Sequence, residues 1–193
     1  MKKAEPNFGH EEMDYPLAEI FQRAFKEFQK LDTEIISLEK EYKQNKNWQI
    51  TQKIFQIVPK RTEAGVVILF SAMAWLEKTL YAYAICYLDP DSYDEHFGNA
   101  RMLTRWLLVP RICQNKIIEE DNPSINDFRE LICARNAVIH PKRQIMHNPS
   151  VSHRKVDKEA NRFLAACRKA ERTVSNLRQM LLPPEGEKQS CTG

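Results

Sequence analysis

Ala64-Gly65-Val66-Val67-Ile68-Leu69-Phe70-Ser71-Ala72-Met73-Ala74-Trp75-Leu76 is the most apolar run in the chain, free of charge until Glu77-Lys78 closes it. Wound as a helix, it is apolar on nearly every side as far as Ala74 and two-faced from there to about Leu88. A helix of that kind is touched on several sides, so the segment reads as the centre of a bundle. The run is shorter than the roughly 20 residues needed to cross a bilayer. Pro59 lies just upstream, and the sequence predicts that it stops a separate short helix over 48–58 before the central helix begins near Arg61.

Working outward, Leu17, Ile20, Phe21, Ala24, Phe25, Phe28, Leu31, Ile35, Leu38 and Tyr42 recur at helical intervals, forming one apolar stripe of a long helix. Pro16 suits its first turn, where a missing N–H is harmless, and residues 1–13 read as loose. Downstream, Asp89-Pro90-Asp91-Ser92 turns into a brief helix through Phe97. Another helix runs from about Asn99 past Trp106, with Pro110 expected to kink or interrupt it. Asp121-Asn122-Pro123-Ser124 opens a further helix, with Ser124 as the expected cap and Asp127 in the position of its capping-box partner. Val156, Ala160, Phe163, Leu164, Cys167, Ala170, Val174, Leu177 and Met180 form the stripe of the last helix, which Pro183-Pro184 stops. The tail, 184–193, is polar and predicted disordered.

Glycine supports the same fold class. Between residues 10 and 185 only Gly65 and Gly98 occur, too few for glycine hairpins, and no run alternates over strand length. The expectation is one all-α domain over residues 1–193: an antiparallel bundle of four to five main helices plus short ones.

The net charge of +3 is small but uneven. Residues 1–45 carry 7 Lys/Arg against 10 Asp/Glu, whereas residues 141–193 carry 11 against 5. Five cysteines lack any CxxC pair, and Cys86, Cys133 and Cys167 stand among apolar positions, as buried thiols of a reducing compartment would. Met1-Lys2-Lys3-Ala4-Glu5-Pro6 has no apolar core of a secretion signal, so a cytoplasmic protein is expected.

The chemistry-bearing stretch is Arg135-Asn136-Ala137-Val138-Ile139-His140, followed by Pro141-Lys142-Arg143. The helix that holds it should end at or just before His140, because a residue preceding proline avoids the α region. Histidine suits proton transfer near neutral pH, and arginine offers paired donors and a permanent charge to a phosphorane-like transition state. Asn136 can orient the imidazole or a phosphate oxygen. Asn136 and His140 share a helix face, while Arg135 and His140 lie about 140° apart. The same three residues can also simply cap the last carbonyls and complement the helix dipole.

Arg-x4-His with an amide after the arginine, on a helical chain of this size, resembles the signature of HEPN domains, small helical bundles many of which are metal-independent ribonucleases. Arg135, Asn136 and His140 match the motif, and Pro141 and Lys142 are similar in that setting. The resemblance implies a homodimer in which two motifs line one cleft, with RNA cleaved by its own 2′-hydroxyl and no cofactor. It also makes an antitoxin or defence protein a candidate partner. In the branch regulated by a nucleotidyltransferase, a tyrosine stands two residues after the histidine; here that position is Lys142. A HEPN-like module that binds RNA or nucleotide without cutting, and a structural dimer or adaptor, are the alternatives.

Around the motif, Lys142, Arg143, Arg154 and Lys155 form a basic segment with no acid from Pro141 through Val156, suited to a phosphate backbone or merely to solvent. His147 and His153 lack partners at ligand spacing, so no metal site is expected. Glu77 and Lys78 face either the motif or solvent. Trp75, Trp106, Tyr81, Tyr83 and Tyr87 suit packing better than base stacking.

Overall fold

The computed structural model describes residues 11–140 and 153–182. Six helices and no strand occur among them: α1 (Glu11–Asn45), α2 (Trp48–Ile85), α3 (Pro90–Phe97), α4 (Met102–Gln114), α5 (Pro123–Ile139) and α6 (His153–Leu181). The fold is an all-α bundle. Residue pairings give its topology. Phe21 packs on Trp75 and Asp32 pairs with Arg61, so α1 and α2 run antiparallel. Ser124 meets Asn176 and Glu130 meets Lys169, so α5 and α6 do likewise. Gly65 abuts Phe163 while Trp75 lies under Arg178, which makes α2 and α6 parallel.

The apolar run at 64–76 is the centre, and α2 contacts each of the other five helices. Ile68, Leu69, Ala72 and Leu76 have no exposed surface, and Phe21, Phe28, Trp106, Phe128, Ala170 and Leu177 close around them from α1, α4, α5 and α6. Gly65 lets α6 come close: a Cβ there would lie 2.6 Å from Phe163 Cζ and 3.1 Å from Cys167 Sγ. Beyond this crossing, α1 and α2 continue as a two-helix arm closed by Lys46 and Asn47. Lys46 takes a left-handed φ of 44°, and the Asn47 side chain accepts a hydrogen bond from the Gln49 N–H at 2.9 Å.

Two prolines, Pro59 and Pro16, depart from the expectations, and Pro110 does not interrupt its helix. Pro59 does not divide two helices; α2 runs unbroken through it. The carbonyl it leaves without a donor is that of Phe55, and both residues are exposed, so water can satisfy that oxygen. Pro110 likewise lies inside α4, its ring buried in the core. Pro16 is not in the first turn, because α1 begins at Glu11, five residues before it.

With α2 continuous, the length argument against a membrane span falls away. An 18-residue window of α2 has a mean hydropathy of 1.3, and 56% of it is buried against neighbouring helices. That burial fits the central place in the bundle.

Two further expectations are corrected. Asn122, not Ser124, caps α5: its side chain accepts from the Ser124 N–H at 2.9 Å, with Pro123 in the first position. Ser124 is buried instead and its Oγ accepts from Asn176, while Asp127 is drawn to α6. Of the cysteines expected inside, Cys167 is buried but Cys86 and Cys133 are exposed: Cys86 follows the last residue of α2, and Cys133 lies on the outer side of α5. The tail and the loose amino terminus lie mostly outside the described residues.

Candidate functional site

α5 presents the motif, and ion pairs fix α5 on α6. Asp127 takes Lys169 at 2.9 Å and Arg172 at 2.9 Å, and Lys169 also reaches Glu130 at 3.0 Å. Burial acts to raise the Asp127 carboxyl, but the hydrogen bonds and charges of Lys169 and Arg172 outweigh it and hold the group below the usual carboxylate range. Phe128 and Leu131 anchor the other side of the helix in the core, Phe128 meeting Trp106 edge-on at 5.9 Å.

The helix ends as Pro141 requires. Ile139 is its last residue, and His140 leaves the helical path at φ −122° and ψ 68°. The His140 N–H still donates to the Asn136 carbonyl at 2.8 Å, so the backbone of the last turn stays closed.

The guanidinium of Arg135 is held from two directions. Its carbon lies 5.7 Å from the centroid of the Phe70 ring of α2, and Nη1 donates to Asn136 Oδ1 at 3.1 Å. Arg135 is half-buried, with its Nε enclosed and without a hydrogen-bond partner among the described residues, while Asn136 and His140 are exposed. The structure thus brings Arg135 and Asn136 together side chain to side chain. It joins His140 to them through the backbone, and among the described residues the imidazole makes no hydrogen bond to either. What results is a cation held by Phe70 and Asn136, and an exposed imidazole at the end of the same helix.

Phe70 is a site residue that the sequence did not single out. It is 40% exposed, and Val67 and Ala74 are exposed on the same face of α2. Within a run apolar on all sides, periodicity carries no sign that these three are less covered than Ile68 or Leu69.

The remaining candidates fall elsewhere. Glu77 lies on the exposed face of α2, where it accepts from Arg105 at 2.5 Å and ties α2 to α4, away from the motif. Lys142, Arg143 and His147 lie outside the described residues. Arg154 and Lys155 fall in the first turn of α6, with His153 at its start, and their side chains are likewise outside the described set. Among the described residues, no three His, Cys, Asp or Glu side chains are grouped as metal ligands. Trp75, Trp106 and Tyr83 are core residues. No family model, curated protein or solved structure matches the chain.

Proposed function

We propose that the protein is a HEPN-type endoribonuclease that acts as a homodimer, with Arg135 and His140 catalytic and Asn136 supporting. The observation that carries this reading is the Arg135 guanidinium seated on Phe70 and held by Asn136, which lies one turn before an exposed His140. Such a cation is prepared for the charge that builds on phosphorus when a 2′-hydroxyl attacks, because its position is set before substrate arrives. His140 from one subunit takes the 2′ proton, and His140 from the other protonates the leaving 5′ oxygen. The exposed Val67, Phe70 and Ala74 beside the motif support a second subunit at this face. Lys142, Arg143, Arg154 and Lys155 supply phosphate contacts in this reading, and affinity for RNA falls steeply with salt.

The test is cleavage of single-stranded RNA in EDTA, since the nucleophile belongs to the substrate. Products carry a 2′,3′-cyclic phosphate or its hydrolysed form, and DNA resists. His140→Ala and Arg135→Ala each lower the rate by about 100-fold or more, and Asn136→Ala has a smaller effect. A wild type that binds RNA without cutting it, or a His140→Ala variant that cuts equally well, replaces this reading with a non-catalytic RNA-binding module.

A further inference from the structure

The arm of α1 and α2 ends in a basic stretch without acids. From Tyr42 through Thr62 the chain holds Lys43, Lys46, Lys53, Lys60 and Arg61 and no aspartate or glutamate. Arg61 is engaged by Asp32, but the four lysines are exposed, and among the described residues none of them is ion-paired. Aromatic rings stand among them. Trp48 and Phe55 are 64% and 68% exposed, and Tyr42 is 40% exposed. Rings so far out of the core do little to hold the bundle together, and exposed aromatics grouped at one end mark a surface that meets another molecule.

Helix geometry arranges these groups in rows. Trp48 and Phe55 are seven residues apart in α2, so they lie within about 20° of each other around its axis and about 10 Å apart along it. Lys53 and Lys60 repeat that interval along the edge of the exposed arc, and the exposed amides Gln52 and Gln56 lie between the two rows. Phe70, the platform of Arg135, falls within about 60° of both rings around the helix, so arm and motif share one uncovered face of α2. Glu63 is the single acid of α2 between them.

We propose that this arm is a binding surface for single-stranded RNA, with bases stacked on Trp48 and Phe55 and phosphates along Lys53 and Lys60. A row of rings beside a row of ammonium groups matches the two repeating parts of a single strand, flat bases and charged linkages. The amides between the rows are placed to meet base edges. A lipid surface is the poorer occupant, because Gln49, Gln52 and Gln56 interrupt the apolar residues where an interfacial helix needs a continuous apolar face. The proposal deepens the ribonuclease reading by naming where RNA is held while a phosphate sits at Arg135, but it concerns binding and requires no cleavage.

The experiment uses the full chain and a fluorescein-labelled, 2′-O-methylated strand of about twelve mixed bases, which has no 2′-hydroxyl to react. Trp48→Ala and Phe55→Ala each weaken binding by about tenfold, and Trp48→Phe by no more than about threefold, because a smaller ring still stacks. Lys53→Gln combined with Lys60→Gln lowers the slope of log affinity against log salt by about 1.4, the loss of two single-strand phosphate contacts. Affinity for a duplex of the same sequence does not change with Trp48→Ala, since its bases are already stacked on each other. All four side chains are exposed, so the variants keep the wild-type melting temperature. The proposal is overturned by ring variants that bind the strand as before, or by Trp48→Phe losing as much as Trp48→Ala. It is equally overturned if phosphatidylserine-containing vesicles hold the wild type and release the ring variants while RNA binding stays, or if the ring variants split a dimer and leave RNA binding intact. Binding that depends on Trp48 and Phe55, with an unmodified strand never cut, sinks the ribonuclease reading and leaves this one standing.

Discussion

Arg135 owes its position to two neighbours that differ in how visible they are in a sequence. Asn136 is adjacent, so its bond to the guanidinium belongs to the motif itself. Phe70 is 65 positions away on another helix, and its ring becomes a platform only because α5 crosses α2 there. Under the proposed function, Phe70→Leu removes the ring's attraction for the cation and lowers RNA cleavage by about threefold, whereas Phe70→Tyr keeps it; single-turnover rates distinguish the two. A second residue-level case is Lys46. In this glycine-poor chain it occupies a left-handed position where glycine is usual, at φ 44°. Lys46→Gly raises stability by about 1 kcal/mol in urea titrations. Such a position is invisible to composition, because a residue that tolerates strain looks like any other lysine in a polar turn.

Among the elements, the hydrophobic stripes located α1, α2, α5 and α6, and Asp89-Pro90 located α3, because burial on one face leaves a periodic trace. The prolines misled. Rules for proline assume that the freed carbonyl has nowhere to go, whereas at Pro59 it belongs to an exposed turn and the helix continues. Pro59→Ala therefore restores one backbone hydrogen bond without disturbing a packed surface. It raises stability by about 1–2 kcal/mol, less than the intrinsic proline cost because the unfolded chain also gains freedom. Gly65 gives the opposite expectation. Alanine is the better helix former by about 1 kcal/mol, but its Cβ would press on Phe163 and on buried Cys167, and overpacking costs at least as much. Gly65→Ala is accordingly destabilising by about 1 kcal/mol in the wild type, and stabilising in a Phe163→Ala background where most of the conflict is gone. A double-mutant cycle measures both signs.

For the molecule as a whole, two carboxylates tie the bundle together across its helices. Asp32 of α1 receives Arg61 of α2 at 2.9 Å and Arg168 of α6 at 2.7 Å, and Asp127 joins α5 to α6. Burial acts to raise Asp32, but hydrogen bonds and charges from Arg168 and Arg61 prevail, so both carboxyls sit below their ordinary value of 3.8. Each binds fewer protons folded than unfolded. Their stabilisation is therefore complete above that value and is lost as pH falls through the depressed folded pKa. Thermal melts accordingly level off above about pH 5 and decline below pH 4, and Asp32→Asn removes part of that decline while lowering stability on the order of 3 kcal/mol at neutral pH. None of these cross-helix pairs was legible beforehand, since periodicity assigns a charge to a face without naming its partner. One consequence belongs to α2 alone. The arm, the close approach at Gly65, the Phe70 platform and the buried Trp75 and Tyr83 are strung along a single uninterrupted rod. Inserting or deleting one residue within it turns everything beyond by about 100° and slides it by about 1.5 Å, so all later partnerships slip together. In descent, this chain can vary its length at the Lys46-Asn47 turn, but from Gly65 to Tyr83 it can change only letter by letter.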